Sequence, residues 1–445
     1  MEIKLSDHFG YRKLIRFTMP SIIMMIFCSI YGVVDGIFVS NFIYDDGVSF
    51  TAVNLIMPLL MFFSAVGFMI GTGGSALVSK IMGQGDIKKA NGIFSMLVYV
   101  SIGLGVLFTI IGFLILEPVS IWFGAEGKTL DACLTYGYIL IPSLTFFLLQ
   151  NVFQSFSIVA ERPKLGLCVM LLTGITNIVL DALFIVAFNW GIAGAAIATM
   201  TAQIVGGVVP LIYFLSKNKS PLRISKPLFS KGALFKTLTN GSSEFLTNVS
   251  LSIVNMLYNF QLMRLLDSNI GVEAFGVINY AGFVFVSAFL GFSIGVAPII
   301  SFHYGAKNHS ELQILFKKCL KIILAMSVVL FIATLVCAYP LSYIFVGRSK
   351  EIFDLALRGF IFYSFMFLFV GFNIFASAFF TALNDGLTSA ILSTTRILIL
   401  PTIAVLALPI FFDVDGVWLT AVVAEALSLG LSIFYFIFKR KRFNY

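Results

Sequence analysis

The sequence predicts an all-α polytopic membrane protein with twelve transmembrane helices in two pseudo-symmetric lobes of six helices each. Hydrophobic residues make up 59% of the 445 positions and charged residues only 11%, whereas soluble domains carry about 45–50% and about 25%. The apolar residues form runs long enough to cross a bilayer, which takes about 20 residues per helix. This composition excludes a soluble enzyme. It also excludes a nucleic-acid binder, because the basic residues lie in short loops between the apolar runs.

Twelve apolar runs follow one another along the chain, with short polar loops between them. Each run is as long as a spanning helix requires, and no loop is long enough to fold alone. The predicted spans cover residues 14–42, 50–79, 93–116, 131–158, 165–188, 191–215, 234–264, 274–302, 318–346, 353–382, 387–411 and 416–438. An even number of spans places both ends of the chain on the same side of the membrane.

Basic residues are distributed unequally between the two sides of these spans. The side that carries the termini holds 23 of the 29 Lys and Arg residues, and the other side holds five. Those five are Lys128, Arg264, Arg348, Lys350 and Arg358. Because short cytoplasmic loops are enriched in Lys and Arg, we expect a multi-pass protein of the inner (plasma) membrane with both termini in the cytoplasm.

The two halves of the chain resemble each other at an offset close to 222 residues. The matching segments are 81–86 with 303–308, 67–71 with 291–295, and 194–203 with 416–425. Because each half has six spans, both halves enter the membrane in the same direction, as in the parallel repeats of secondary transporters. The predicted parts are an N-terminal lobe at 1–215, a cytoplasmic linker at 216–232 and a C-terminal lobe at 233–445.

Five ionisable side chains lie well inside the predicted spans, away from the span ends, where each costs about 2.5–3.5 kcal/mol on insertion scales. They are Asp35 in span 1, Asp181 in span 5, Glu244 in span 7, Arg396 in span 11 and Glu425 in span 12. Asn177 lies four residues before Asp181 and shares its helix face, and Thr199 follows in a run of small residues. Two carboxylates, an amide and a hydroxyl form a set of hard oxygen ligands, suited to Na⁺ or to protons.

Asp35 and Asp181 have no acidic counterpart at the repeat-related positions of the second half. The positions 222 residues after Asp35 and Asp181 are Leu257 and Ile403, so we expect the coupling chemistry in the first lobe. Pro20 lies fifteen residues before Asp35 and permits a kink in span 1.

Polar residues of the second half remain secondary candidates. Asn255 and Asn259 of span 7 can face a cavity or bond a neighbouring helix. Glu244 lies near the start of span 7, where exposure at the membrane interface is the alternative to a functional role. Glu425 can pair with Arg396, although sequence alone does not establish the partner.

Together these motifs resemble the multidrug and toxic compound extrusion (MATE) family over nearly the whole chain. The matching segments are Pro20 with 34–39 (VDGIFV), 71–75 (GTGGS), 83–86 (GQGD), 177–185 (NIVLDALFI) and 190–199 (WGIAGAAIAT). The resemblance implies two six-helix lobes around a V-shaped central cavity. It also implies export of cationic, amphipathic compounds in exchange for Na⁺ or H⁺, with no other cofactor.

The resemblance further implies which residues bind the coupling cation in members with a first-lobe site. These are Asp35, Asn177, Asp181 and Thr199, joined by the backbone carbonyl of Ala195. Tyr31 and Gln154 match polar neighbours of that site, although Asn is common where Gln154 stands. Other members use acids in helices 7 and 10. Here span 10 has no acid beyond its first turn and Glu244 lies early in span 7, so we do not expect a cation site in the second lobe.

Three other classes of membrane protein fit the sequence less well than an antiporter for organic cations. A lipid-linked oligosaccharide flippase of the same superfamily would show several basic residues facing the cavity, and only Arg396 qualifies. A membrane enzyme such as an acyltransferase would need a His or paired acids near an interface, and a passive channel has no need of duplicated halves. We therefore predict a monomeric antiporter embedded in membrane lipid, with the drug and the choice between Na⁺ and H⁺ left open.

Overall fold

A computed structural model describes residues 3–43, 45, 47–266, 270–347 and 349–445. Helices form all of the regular secondary structure in these ranges. Arg348, one of the five basic residues assigned above to the side opposite the termini, lies outside the described residues.

The first half of the chain forms six rods. Their helices are α1 (Tyr11–Phe42), α2 (Val48–Gly83), α3 (Ile87–Trp122), α4 (Gly127–Leu140) with α5 (Leu144–Val159), α6 (Pro163–Asp181) and α7 (Gly191–Leu215). A single 3₁₀ turn joins α4 to α5, and a π-helical turn (Ala182–Ala187) follows α6. Pro20 does not interrupt α1, which is continuous as a helix across it.

The second half repeats this plan with more breaks. Its helices are α8 (Lys231–Leu266), α9 (Ile270–Gly305), α10 (His309–Val346), α11 (Lys350–Ser364), α12 (Phe367–Ala382), α13 (Gly386–Thr394), α14 (Leu400–Phe438) and α15 (Arg440–Phe443). The bend between α11 and α12 is 54°. A π-helical turn (Thr395–Ile399) joins α13 to α14. Within α14, Asp413 has a non-helical backbone at φ 48° and ψ −132°.

Every predicted span coincides with one of these helices or helix pairs. Within the described ranges, nine helices are long and apolar enough to cross a membrane, or ten when the bent pair α11–α12 is one span. The stretch Gly386–Phe438 counts once, although Asp413 breaks it between the predicted spans 11 and 12. Helix α8 is long enough but less apolar, because it carries Asn255, Asn259 and other amides.

In the part of the chain that the structure describes, the buried hydrophobic core that contains residues of both halves lies at the end that carries both termini. The core there, which we call the shared core, includes Phe17, Ile70, Phe156, Phe292 and Phe375. At the opposite end each half has its own core. These include Val39, Ile56 and Tyr136 in the first half and Val254, Ile278 and Trp418 in the second. The two halves therefore form a wedge that is closed at the end of the termini.

Glycine residues bring the backbones of the two halves into contact at the closed end. A Cβ atom on Gly83 of α2 would lie 2.0 Å from the carbonyl oxygen of Phe302 of α9. A Cβ atom on Gly305 would lie 2.0 Å from the carbonyl oxygen of Lys80. Gly83 and Gly305 are 222 residues apart, as are Lys80 and Phe302. The contact is therefore reciprocal, as two parallel repeats related by a pseudo-two-fold axis require.

The segment before α1 also ties the two halves together at this end. The N–H of Leu5 donates a 2.8 Å hydrogen bond to Glu161, in the connection between α5 and α6. The N–H of Phe9 donates to Glu311 in the first turn of α10, at 2.9 Å. Lys318, further along α10, donates to the carbonyl of Phe9 at 2.6 Å. Residues 5–9 thus bridge the first half to the second.

Close packing of the halves predicts a strong effect of a single methyl group. A Cβ atom on Gly241 of α8 would lie 1.9 Å from the carbonyl oxygen of Met69 of α2. We expect Gly241→Ala to lower the midpoint of thermal unfolding by about 4 °C or more, even though Ala favours a helix interior over Gly by about 1 kcal/mol.

The matched control is Gly276→Ala in α9, where an added Cβ meets nothing within 4 Å. It should leave the midpoint unchanged or raise it. Equal midpoints for the two variants would contradict the close approach of α2 and α8.

Candidate functional site

Four polar side chains from three helices meet inside the first half, and we call them the first-half cluster. Asp35 lies on α1, Asn177 and Asp181 lie on the last turns of α6, and Thr199 lies on α7. The Nδ2 atom of Asn177 is 3.4 Å from Oδ1 of Asp35 and 3.4 Å from Oγ1 of Thr199. The carboxyl groups of Asp35 and Asp181 are close enough to share a hydrogen bond when one of them is protonated.

Burial leaves the oxygens of this cluster short of donors. Asp181 is fully buried, and neither of its carboxylate oxygens has a hydrogen-bond donor in the part of the chain that the structure describes. The Oδ1 atom of Asn177 also lacks one. Two adjacent carboxylates cannot both be ionised in such surroundings without a compensating positive charge. The cluster therefore requires a proton or a bound cation.

Local sequence explains why these helices meet here. A Cβ atom on Gly174 of α6 would lie 2.5 Å from the ring of Phe27 of α1, so this glycine lets α1 approach α6 closely. The π-helical turn that follows Asp181 is a departure from α-helical geometry of a kind that often marks functional sites. The rings of Phe184 and Trp190 stack at 4.8 Å and close the connection from α6 to α7.

Two tyrosines complete the surroundings of the first-half cluster. Tyr31 lies one turn before Asp35 on α1 and interacts electrostatically with its carboxyl group. Tyr136 of α4 is buried, and its hydroxyl lies beside Thr199 and interacts electrostatically with both carboxyl groups. The sequence gives no signal for Tyr136, because it is one of 15 tyrosines and has no spacing relation to the acids.

The other predicted first-half residues occupy different places. Ala195 is buried on α7, one turn before Thr199. Gln154 lies away from the acids, with its Nε2 atom 3.0 Å from the sulfur of Met25. Pro20 is buried on α1 toward the closed end of the wedge. Of these three, only Ala195 neighbours a member of the first-half cluster.

Charged residues of the second half form a separate network around Arg396. Its Nε atom lies 3.3 Å from Oε1 of Glu425, and Nδ2 of Asn373 donates a 2.7 Å hydrogen bond to the other carboxylate oxygen. Ser432 in turn donates to Asn373 at 2.8 Å. Glu244 is half-buried on α8 and interacts electrostatically with Arg396, rather than lying exposed at the interface. We call Glu244, Asn373, Arg396 and Glu425 the second-half network.

The polar row predicted on span 7 lies on α8, further along the helix than Glu244. Asn255 and Asn259 are half-buried on α8. Gln261, two residues further on, donates a 2.9 Å hydrogen bond to the carbonyl of Val405 and joins α8 to α14. The row therefore serves at least in part as a contact between helices.

The two groups of charges differ in how they are neutralised. The acids of the second-half network have an internal cation, Arg396. Among the residues that the structure describes, no Lys or Arg side chain forms an ion pair with Asp35 or Asp181. Of these two groups, the first-half cluster is the one without an ion-pair partner among the described residues.

Comparison with known proteins gives one consistent result. The family model described as MatE matches residues 20–183 and 245–406. Multidrug export protein MepA of Staphylococcus saprophyticus is 22% identical over 354 residues, which are 78% of this chain and 75% of that protein.

Solved structures share the fold described above. A MATE crystallised in complex with MaL6 superposes with a TM-score of 0.91 at 22% identity, covering 98% of this chain and 97% of that one. An outward-facing multidrug resistance transporter of the MATE family has a TM-score of 0.90 at 22% identity, with 98% and 96% covered. At this level of identity the likeness establishes the fold.

Tyr136 provides a test of the first-half cluster that does not alter its ligands. Loss of the buried hydroxyl beside Thr199 in Tyr136→Phe should weaken the apparent affinity for the coupling ion about tenfold, a typical effect of removing a group next to the ligands. The readout is the Na⁺ concentration, or the proton concentration, that half-activates efflux.

The matched control is Tyr138→Phe, two residues along the same helix, where the side chain is exposed and stacks on Phe113. It should leave half-activation unchanged. An unaltered value in Tyr136→Phe would show that this phenol takes no part in the site.

Proposed function

The chain belongs to the MatE family, and on that premise we propose that it is a secondary antiporter that exports cationic, amphipathic drugs in exchange for Na⁺ or H⁺. The family is one of membrane transporters, so the protein is not an enzyme. The relatives named above are multidrug export proteins. The observation that carries the proposal is the position of Asp181 beside Asp35. The carboxylate oxygens of Asp181 are buried and lack donors in the described part of the chain.

The first-half cluster is the proposed site for the coupling cation. In this proposal Asp35, Asn177, Asp181 and Thr199 supply oxygen ligands, and the carbonyl of Ala195 can add another. For a proton as the coupling ion, one of the two carboxyl groups binds it and donates to the other. Either ion removes the repulsion between the carboxylates and so favours the conformation in which they lie together.

Drug export follows if the drug and the ion favour opposite conformations. Coupling requires that each ligand bind one state of the transporter better than the other. Helix α1 is the element that can respond to both. It is anchored in the shared core by Phe17, and it carries Asp35 four residues before Val39, which packs in the core of the first half. An organic cation near this wall would compete for the same negative charge.

The unequal distribution of basic residues supports an orientation in the inner membrane with both termini in the cytoplasm. We propose lobes at 1–215 and 233–445, with the linker 216–232 on the cytoplasmic side. In this orientation the wedge is closed toward the cytoplasm and opens outward. A single chain contains both lobes and the whole cation site, so the proposed transport unit is a monomer.

The flippase alternative lacks a supporting observation. A flippase for anionic lipid-linked sugars would need free basic side chains in its cavity. Arg396, which lies well inside predicted span 11, is already paired with Glu425 at 3.3 Å. None of the relatives reported above is named as a flippase.

Asp35→Asn tests the proposed coupling site directly. We expect it to reduce coupled efflux to background with a normal amount of folded protein, because Asn keeps the shape of Asp but removes its charge. The assay is uptake of a fluorescent organic cation into everted vesicles, energised by a Na⁺ gradient in one experiment and by a proton gradient in another.

Glu273→Gln is the matched control for Asp35→Asn. Glu273 is an exposed acid in the first turn of α9, so its neutralisation should leave efflux unchanged. Efflux by Asp35→Asn at the rate of the unmodified protein would place coupling elsewhere, with Glu244 and Glu425 as the next candidates.

A further inference from the structure

A groove of about 330 Å³ lies between α10 and the last turns of α14, at the closed end of the wedge. We call it the terminal groove. Its side facing away from the protein core is apolar, because Ile433 and Ile437 of α14 are 48% and 71% exposed. Both lie within a helix that is apolar enough to cross the membrane. The terminal groove therefore faces lipid, and it is separate from the first-half cluster and from the second-half network.

The end of the groove toward the termini is basic. Lys317 of α10 and Arg440 after α14 line it, together with Gln313, one turn before Lys317. Lys321, one turn after Lys317, extends this face and is exposed.

These charges are largely unpaired. Nε of Arg440 donates to the backbone oxygen of Tyr445 at 3.1 Å. Among the described residues, no Asp or Glu side chain forms an ion pair with Lys317 or Arg440. Neighbouring basic residues are already engaged, since Lys439 pairs with Asp385 at 3.0 Å and Lys318 donates to Phe9. The groove thus holds two positive charges that an external anion can neutralise.

Deeper along the same groove the lining changes to apolar. Leu320 lies three residues beyond Lys317 on α10, and Ile433 lies seven residues before Arg440 on the facing helix. The ring centroids of Phe316 and Phe436 are 5.1 Å apart, and the two rings form the floor of the groove. Charge at the membrane surface followed by an apolar channel toward the membrane interior matches a phospholipid, with its headgroup above and its acyl chain below.

We propose that the terminal groove is a binding site for an anionic phospholipid of the leaflet on the side of the termini. The phosphate would lie between Lys317 and Arg440, and one acyl chain would follow Leu320 and Ile433. Basic pockets between transmembrane helices bind anionic headgroups in this way. A zwitterionic lipid fits less well, because its amine would add a positive charge beside the two basic side chains. The bound lipid would join α10 to α14, the helix that carries Glu425.

The test is native mass spectrometry of the purified full chain titrated with phosphatidylglycerol or with phosphatidylcholine. We expect the unmodified protein to retain one phosphatidylglycerol molecule at a concentration about tenfold or more below that required for phosphatidylcholine. The double variant Lys317→Gln with Arg440→Gln should lose this preference, since each basic residue near the surface contributes to anionic lipid binding. Lys88→Gln with Lys89→Gln is the matched control, because both lysines are exposed at the start of α3 at the same end of the molecule. It should retain the preference.

Ile433→Trp separates a groove from a general effect of surface charge. It keeps both basic residues but fills the apolar channel with a larger side chain, so retention of phosphatidylglycerol should fall about tenfold. Its partly exposed position allows the chain to fold. Three results would overturn the proposal: equal retention of the two lipids by the unmodified protein, equal loss in the two double variants, or full retention by Ile433→Trp.

Discussion

The carboxyl groups of Asp35 and Asp181 lie side by side inside the first half. Their need for a compensating positive charge is the constraint on which the rest of this half depends. Asp181 is fully shielded from solvent. The repulsion between the two carboxylates must therefore be offset by a proton or a cation. The second half meets the same requirement internally, because Arg396 lies 3.3 Å from Glu425. Two repeats with one backbone plan therefore differ in their source of positive charge. That difference makes one of them dependent on the ions outside.

The fold gives this requirement a mechanical consequence. The two halves share a core at the end of the termini and have separate cores at the other end, so motion of one half against the other is confined by the closed end. A Cβ atom on Gly291 of α9 would lie 2.5 Å from the Cα atom of Ile22, which shows how tightly α1 is held there. Asp35 lies beyond this anchor, toward the part of α1 where Val39 packs in the core of the first half. A change of charge at Asp35 thus acts on the part of α1 that lies beyond its close contact with α9.

The sequence alone predicted the features that depend on local composition or on ionisable residues inside membrane spans, which are energetically unfavourable. The twelve apolar runs coincide with helices because span length follows from hydropathy. Asp35, Asn177, Asp181 and Thr199 could be grouped because acids in spans are rare and because the spacing of Asn177 and Asp181 puts them on one helix face. The family resemblance supplied the remaining link between the three helices.

Features that depend on contacts between distant segments could not be read from the sequence. Tyr136 reaches Thr199 only through the packing of α4 on α7. The resemblance gave Gln154 as a polar neighbour of the site, whereas in the structure its Nε2 atom lies 3.0 Å from the sulfur of Met25. The environment of Glu244 depends on Arg396, which is remote in sequence.

One measurement tests the central claim most directly, namely the infrared difference spectrum between the unmodified protein and Asp181→Asn, in Na⁺-free buffer at neutral pH. The account predicts a protonated-carboxyl band in the unmodified protein that Asp181→Asn lacks, and fully ionised Asp35 and Asp181 under those conditions would contradict it.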